Sequence, residues 1–398
     1  MLKQQLESPA DNAKPGLSVR EVMAQAFSQT DRQIWHEIIE RTTGDVAPVV
    51  ADLFDVVRYL FLADCQQKRP NTWKRPLSVN LPVRALEVWQ RREVQETLHS
   101  LLEFTCGDDV VLHFEDVHAP APRVQPCLSF ETKCRVCLLS DGLDSLCGLT
   151  QRLSVDSATP IVAATCLTQY QVERRVCHIV SDLNATFGHR VLPVTVPLYR
   201  TGYRTRPPGE PSQRLRSVLL LGVGAVIALL AGQSGLEVYE NGIEVCNFPL
   251  ALTPEPERLS RAMHPVLLKR MSLFLSALAD REFVCSAPFA LDTKAEMVKA
   301  TRLILPDETL LRTVSCMHYR NTQCGGCEGC VLRRQALFCA GAQTRPPSTA
   351  STSTLVEEPQ EYKGEKWRKR ERSVPYTQSI TGSTDYVRQW PIQIPIVL

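Results

Sequence analysis

The chain has no apolar stretch long enough to cross a bilayer. Its longest, Val218 to Gly232, holds 15 residues, short of the roughly 20 that a spanning helix needs, and is expected to be a buried helix. The N-terminal segment MLKQQLESPADNAKPG lacks the apolar core of a secretory signal, so no membrane partner is expected. Neither sign of charge is in excess: 45 Lys and Arg against 43 Asp and Glu leave a net charge of +2. A nucleic-acid partner is therefore not expected. The Walker pattern GxxxxGK[ST] is also missing, which excludes the P-loop route to a nucleotide.

Cysteine, by contrast, is abundant. Fifteen in a chain without a secretion signal point to a reducing, cytoplasmic compartment and to thiols or metal ligands rather than disulfides. Most stand singly in apolar segments, where Cys is a small core residue. Cys134 and Cys137 form a CxxC on an expected strand, where i and i+3 face opposite ways.

At 398 residues, 44% of them hydrophobic, the chain can bury a large core or two. Helical spacing runs from Val22 to about Asp64. LSVNLPV (77–83) alternates like a strand, 85–105 is helical, and 109–117 is a second strand. Residues 1–130 thus form an α+β accessory or recognition domain without a catalytic constellation. Strands and helices then alternate: strand 134–139, helix from Ser145, strand 160–167, helix 169–187, strand 190–197, helix 213–232, strand 235–240, helix 256–279. That succession predicts an α/β fold with a parallel sheet and crossover helices over residues 131–342. GVGAV (222–226) lies inside a helical pattern, so its glycines serve close packing rather than dinucleotide binding. From Gln343 to Leu398 the chain turns rich in Pro, Ser, Thr and charge, the composition of a disordered tail.

The first strand of the alternating series ends in Ser140-Asp141-Gly142-Leu143-Asp144-Ser145. Such a segment offers free N–H groups and the positive end of a helix dipole to a polyphosphate. Ser140 and Ser145 add hydroxyls, and Asp144 can hold Mg²⁺ or brace the loop. A helix start capped by Asp or Ser explains the segment equally well. Farther on, Cys316, Cys324, Cys327 and Cys330 are spaced C-x7-C-x2-C-x2-C. Four thiolates so close can complete a closed, structural zinc shell. An iron–sulfur cluster or free thiols remain alternatives. Cys339 reads as a core thiol of the following helix.

Ser140 to Ser145 resembles the SGGxDS pyrophosphate loop (PP-loop) of the N-type ATP pyrophosphatases, with Asp141 in place of the family's first glycine. DTKAEMV (292–298) and CGGCEGCVLRR (324–334) resemble the zinc module of 7-cyano-7-deazaguanine synthase, QueC. TWKRPLSVNLPV, LLEFTCGDDVVLHF, RLRS (214–217), ENG (240–242) and HP (264–265) are similar to the QueC-like QatC proteins of the Qat antiphage defence system. The resemblance spans about residues 50–342. It implies an adenine nucleotide alpha hydrolase-like fold and ATP, Mg²⁺ and Zn²⁺ as cofactors. It also implies a carboxylate–amine ligase that adenylates a 7-deazaguanine carboxylate.

On that resemblance Ser140 to Ser145 bind ATP, and Asp144, Ser145, Arg214, Arg216 and Lys294 serve the chemistry. Glu240, Asn241 and His264 contact the deazaguanine. Each has a plainer reading: solvated arginines at a helix start, a capping box for Thr293 and Glu296 around Lys294, a tight turn for ENG, and a packing histidine. The surplus N-terminal domain and tail suit recognition of a partner protein, whose amine, best a chain N-terminus, would accept the acyl group. Three other functions stay open: a synthase using ammonia, a tRNA-modifying PP-loop enzyme, and an inactive zinc scaffold.

Overall fold

The computed structural model describes residues 46–69, 74–117, 133–167, 170–196, 210, 212–247, 261–317, 319 and 322–342. The helix expected before residue 46, the boundary near residue 130 and the tail from 343 lie outside the described residues. The chain divides into units Met1–Ser348 and Thr349–Leu398.

Described elements begin with helix α1 (Pro48–Gln66), which opens on a proline at its first turn, where the missing N–H costs nothing. Strand β1 (Pro76–Val83) alternates exposed and buried residues along its length. Helices α2 (Leu86–Trp89) and α3 (Arg92–Cys106) carry the chain to β2 (Asp109–Asp116), and β2 pairs in parallel with β1. The single helix expected over 85–105 is therefore broken at Gln90 and Arg91, and Gly107 ends α3 in left-handed geometry, as its sequence position suggests.

A five-stranded parallel sheet follows, built from β3 (Arg135–Leu138), β4 (Ile161–Cys166), β5 (Val191–Val196), β6 (Gly235–Glu237) and β7 (Val284–Ser286) in the order β5-β4-β3-β6-β7. Helices α4 (Leu143–Val155) and α5 (Tyr170–Phe187) connect the first three strands. Helix α6 (Arg216–Leu230) crosses to the far side of β3. A short α7 (Gly242–Val245) and α8 (Pro265–Ala279) precede β7, and α9 (Lys294–Arg302), α10 (Asp307–Arg312) and α11 (Glu328–Cys339) complete the described fold. The helix expected over 256–279 starts only at Pro265.

Both faces of the sheet are covered, and alternate strand residues enter two cores. Cys134, Val136, Val162 and Ala164 join one core, while Cys137, Ile161 and Ala163 join the other. The CxxC cysteines thus point apart, as strand geometry requires. The first core also takes in α1, β1 and α3, so the described N-terminal segments share one interior with the sheet. Helix α6 lies between, buried almost all round. Glycines make this possible: a Cβ at Gly224 would stand 2.8 Å from Leu138 and Leu236 of the sheet, and one at Gly222 would stand 2.5 Å from Val57 of α1.

Helix propensity alone favours Gly222→Ala by about 1 kcal/mol. Overpacking of this kind costs roughly 1–3 kcal/mol, so the overlap with Val57 should win and the variant should melt lower than the parent. In a Val57→Ala background the same substitution should lose much less. Additive losses in thermal melts would show that the α1–α6 contact is not the cause.

Candidate active site and cysteine centre

The chain runs from β3 outward to β4 and β5, then crosses to β6 and β7 on the other side of β3. Such a reversal opens a crevice at the carboxyl ends of the strands, where open α/β sheets bind their ligands. A cavity of about 140 Å³ lies there. Ser140, Asp141 and Ser145 line it from the segment after β3, Thr165 and Cys166 from β4, Tyr239 and Glu240 from the segment after β6, and Arg216 from α6.

The segment after β3 folds as a compact loop. Ser145 Oγ accepts from the Ser140 N–H at 3.2 Å and lies 2.8 Å from Ser140 Oγ, which accepts from the Gly142 N–H at 3.1 Å. Gly142 is the N-cap of α4, and no side chain caps the helix. Among the described residues no acceptor stands at the N–H groups of Leu143, Asp144 and Ser145, the first-turn donors a phosphate would satisfy. This disfavours the capped-helix alternative. Helix α4 begins at Leu143, two residues before the expected start.

Below the loop lies a buried charge cluster. Lys294 Nζ sits 2.9 Å from Asp144 Oδ2 and 3.0 Å from Glu244 Oε1. Asn241 caps α7 with its Oδ1, accepting from the N–H groups of Ile243 and Glu244, while its Nδ2 donates to Asp144 at 3.2 Å and to Glu244 at 2.6 Å. Close packing brings these elements together: a Cβ at Gly148 of α4 would stand 2.5 Å from Tyr239. Carboxylate oxygens of Asp144, Glu240 and Glu244 lie within 4.8 Å of one another. Three acids, Asp144 buried and the other two half-buried, face one ammonium, and the excess negative charge favours protons or a cation there. Burial accordingly pushes the Asp144 carboxyl well above the usual range, and burial with the neighbouring Glu244 raises Glu240 to about 8. For Glu244, hydrogen bonds from Asp144, Lys294 and Asn241 outweigh burial and hold it low. Asp144 Oδ1 is buried with no partner, so the donor set fits a divalent cation such as Mg²⁺.

The sequence-predicted residues fall into two groups. Ser140, Asp141, Ser145, Arg216 and Glu240 line the cavity, while Gly142 and Leu143 belong to the same loop and Asp144, Asn241 and Lys294 to the charge cluster. Lys294 faces carboxylates rather than open space, and the capping box of Thr293 and Glu296 is present beside it. Arg214 and His264 are placed elsewhere. Arg214 donates to the Cys106 carbonyl at 2.9 Å, towards α3, with Asp108, Glu210 and Asp64 nearby. His264 caps α8, its Nδ1 accepting from the Val266 N–H at 3.2 Å while its ring packs 5.5 Å from that of Phe104. Neither residue is among those lining the cavity. Sequence reasoning missed Glu244, although Asn241-x-x-Glu244 has the form of a helix-start signal. It also missed Thr165, whose buried hydroxyl has no partner.

The four cysteines converge. Their Sγ atoms lie within 4.8 Å of one another, with 4.0 Å between Cys324 and Cys330 and between Cys316 and Cys327. A tetrahedral zinc with bonds of about 2.3 Å places its sulfurs about 3.8 Å apart, so the set fits zinc. Cys327 caps α11 and Cys330 lies in its first turn. A Cβ at Gly329 would overlap the Ser315 carbonyl at 2.0 Å, so only glycine lets the two arms close. Burial disfavours the Cys324 thiolate, but the N–H groups of Cys327 and Gly326 outweigh it and lower the thiol to about 7. Cys339 is exposed, against the expectation of a core thiol.

Residues 264–341 match the family model of the queuosine biosynthesis protein QueC. No curated protein matches the chain. The QueC-like segment contains Lys294 and all four cysteines, while Ser140–Ser145 and Glu240–Asn241 precede it. The match points to an ATP-using function of the PP-loop type, and the parallel sheet is consistent with it. Among the described residues no helix is long and apolar enough to cross a membrane.

Purified protein should carry one zinc per chain, and Cys327→Ser should be metal-free or insoluble. Elemental analysis finding iron with sulfide, or no metal in folded protein, would contradict the zinc assignment. A second outcome follows from Glu240. Folded protein keeps its proton up to about pH 8, whereas the unfolded chain loses it near the ordinary value of about 4.3. Its contribution to stability is therefore complete below that value and is lost as pH rises to about 8. In the presence of chelator Glu240→Gln should melt with the parent near pH 4.5 and above it at pH 8–9. A difference that does not grow with pH would remove Glu240 from the buried charge cluster.

Proposed function

We propose that this protein is a PP-loop ATP pyrophosphatase that activates a 7-deazaguanine carboxylate as its adenylate and transfers the acyl group to an amine. The observation that carries the reading is the uncapped start of α4, opening on the switch-point cavity beside the unpartnered oxygen of Asp144. In this scheme an oxygen of the substrate carboxylate attacks the α-phosphorus of ATP, and the bond to the bridging oxygen breaks, releasing pyrophosphate. An amine then attacks the acyl carbon and AMP leaves, the amine losing a proton.

Charge builds on the departing pyrophosphate, so donors fixed beforehand around it lower the barrier. The loop N–H groups, the hydroxyls of Ser140 and Ser145, and Arg216 provide them. Asp144, Glu240 and Glu244 would hold Mg²⁺, which when bound neutralises phosphate charge. Lys294 balances those carboxylates, and Asn241 orients Asp144 and Glu244. Cys316, Cys324, Cys327 and Cys330 would hold zinc in a closed shell whose role is folding. The acceptor we favour is the terminal amine of a partner protein in a defence system. Its pKa near 8 leaves more neutral nucleophile than a lysine at about 10.4.

ATP turnover with 7-carboxy-7-deazaguanine should yield pyrophosphate and AMP, and an amine-bearing partner should gain a fixed mass. Asp144→Ala and Ser145→Ala should each lower the rate at least about 100-fold, the scale of a lost transition-state contact. Release of orthophosphate, or unchanged rates in both variants, would contradict the reading. Turnover that leaves the partner unmodified while a free amide or nitrile accumulates would favour ammonia as the acceptor.

A further inference from the structure

Asp141 places a carboxylate on the rim of a cavity suited to anions, where it should repel phosphate. The structure shows what answers that charge. Arg175, one and a half turns into α5, donates from Nε to Asp141 Oδ2 at 2.6 Å. Its guanidinium carbon lies 4.7 Å from the ring centroid of Tyr319, which sits in the connection between Cys316 and Cys324. The segment just before Cys316 holds the loop backbone, since the Val314 N–H donates to the Asp141 carbonyl at 2.8 Å. Arg175 and Asp141 are both only partly exposed, at 20% and 15% of their side-chain surface.

We propose that Arg175 is a phosphate-binding residue of this site, and that the Asp141 carboxylate is an internal anion that occupies it until a nucleotide arrives. The proposal rests on the assignment of Ser140–Ser145 as a phosphate loop. The Arg175 side chain is already ordered beside the loop by stacking on Tyr319, which leaves its remaining donors directed in one plane. A polyphosphate entering at the α4 start brings several negative charges to a guanidinium that Asp141 neutralises with one. Arginine pairs with phosphate through two parallel donors, so the guanidinium passes from the single Asp141 bond to the incoming oxygens. Asp141 then turns away. The exchange makes the empty loop electrically balanced and sets a threshold that a monoanion does not meet.

The test is a double-mutant cycle on binding of the α,β-methylene analogue of ATP with Mg²⁺, read by calorimetry, with thermal melts confirming that each variant is folded. Asp141→Gly frees Arg175 and should tighten binding several-fold. Arg175→Gln should weaken binding about tenfold or more, both in the parent and in the Asp141→Gly background. Arg175→Lys, which keeps the charge but not the fork, should fall between. If Arg175 only neutralises Asp141, Arg175→Gln in the Asp141→Gly background will leave affinity unchanged, and the proposal fails while the phosphate loop stands. If the parent binds no nucleotide with Mg²⁺, both fail together. Weaker binding by Asp141→Gly in a metal-dependent way would assign Asp141 to the cation and overturn its role as internal anion.

Discussion

A single ammonium group, Lys294 Nζ, sits between Asp144 and Glu244 with three carboxylates around it. It ties together the start of α4, the short α7 after β6, and the start of α9. None of these elements is adjacent to the others in the chain. A charge buried this way is costly unless its partners are held at hydrogen-bond distance, so the cluster forms only when the sheet has brought both strand ends together. The geometry of the Ser140–Ser145 loop follows from it, because Asp144 belongs to the loop and to the cluster at once.

The negative excess of that cluster gives the site its chemical character. One ammonium cannot balance three carboxylates, and Asp144, the most buried of them, is largely shielded from water. Asp144 and Glu240 therefore resist ionisation. The cysteine centre contributes at a distance. Its first arm, residues 313–319, supports the loop backbone through Val314 and the Arg175 guanidinium through Tyr319. A folded cysteine centre is thereby joined to the Ser140–Ser145 loop without lining the cavity.

The N-terminal segments are joined to the sheet by similar means. Asp64 of α1 accepts from the Leu215 N–H at 2.9 Å, and Arg75 pairs with both Asp64 and Asp108 while fully buried. Arg214 completes this junction through the Cys106 carbonyl. Its neighbour Arg216, two residues on, reaches the cavity instead. The helix start that looked like one patch of positive charge is divided between a structural junction and the site.

What the sequence determined by itself is whatever a short window encodes. The strands of the sheet show as compact apolar runs, the capping box at Thr293 as a fixed offset, and the four cysteines as two close steps that no ordinary helix requires. The packing role of GVGAV was legible because period and flanks excluded a strand. Tertiary structure alone decided the rest. Arg175 meets Asp141 across 34 positions, Asn241 meets Asp144 across 97, and Lys294 meets Glu244 across 50. Arg214 and Arg216 carry the same charge in the same motif, and His264 has the chemistry of a proton carrier. Nothing local separates a ligand contact from a structural bond for any of them, because the choice depends on which distant backbone or carboxylate the fold brings within 3 Å.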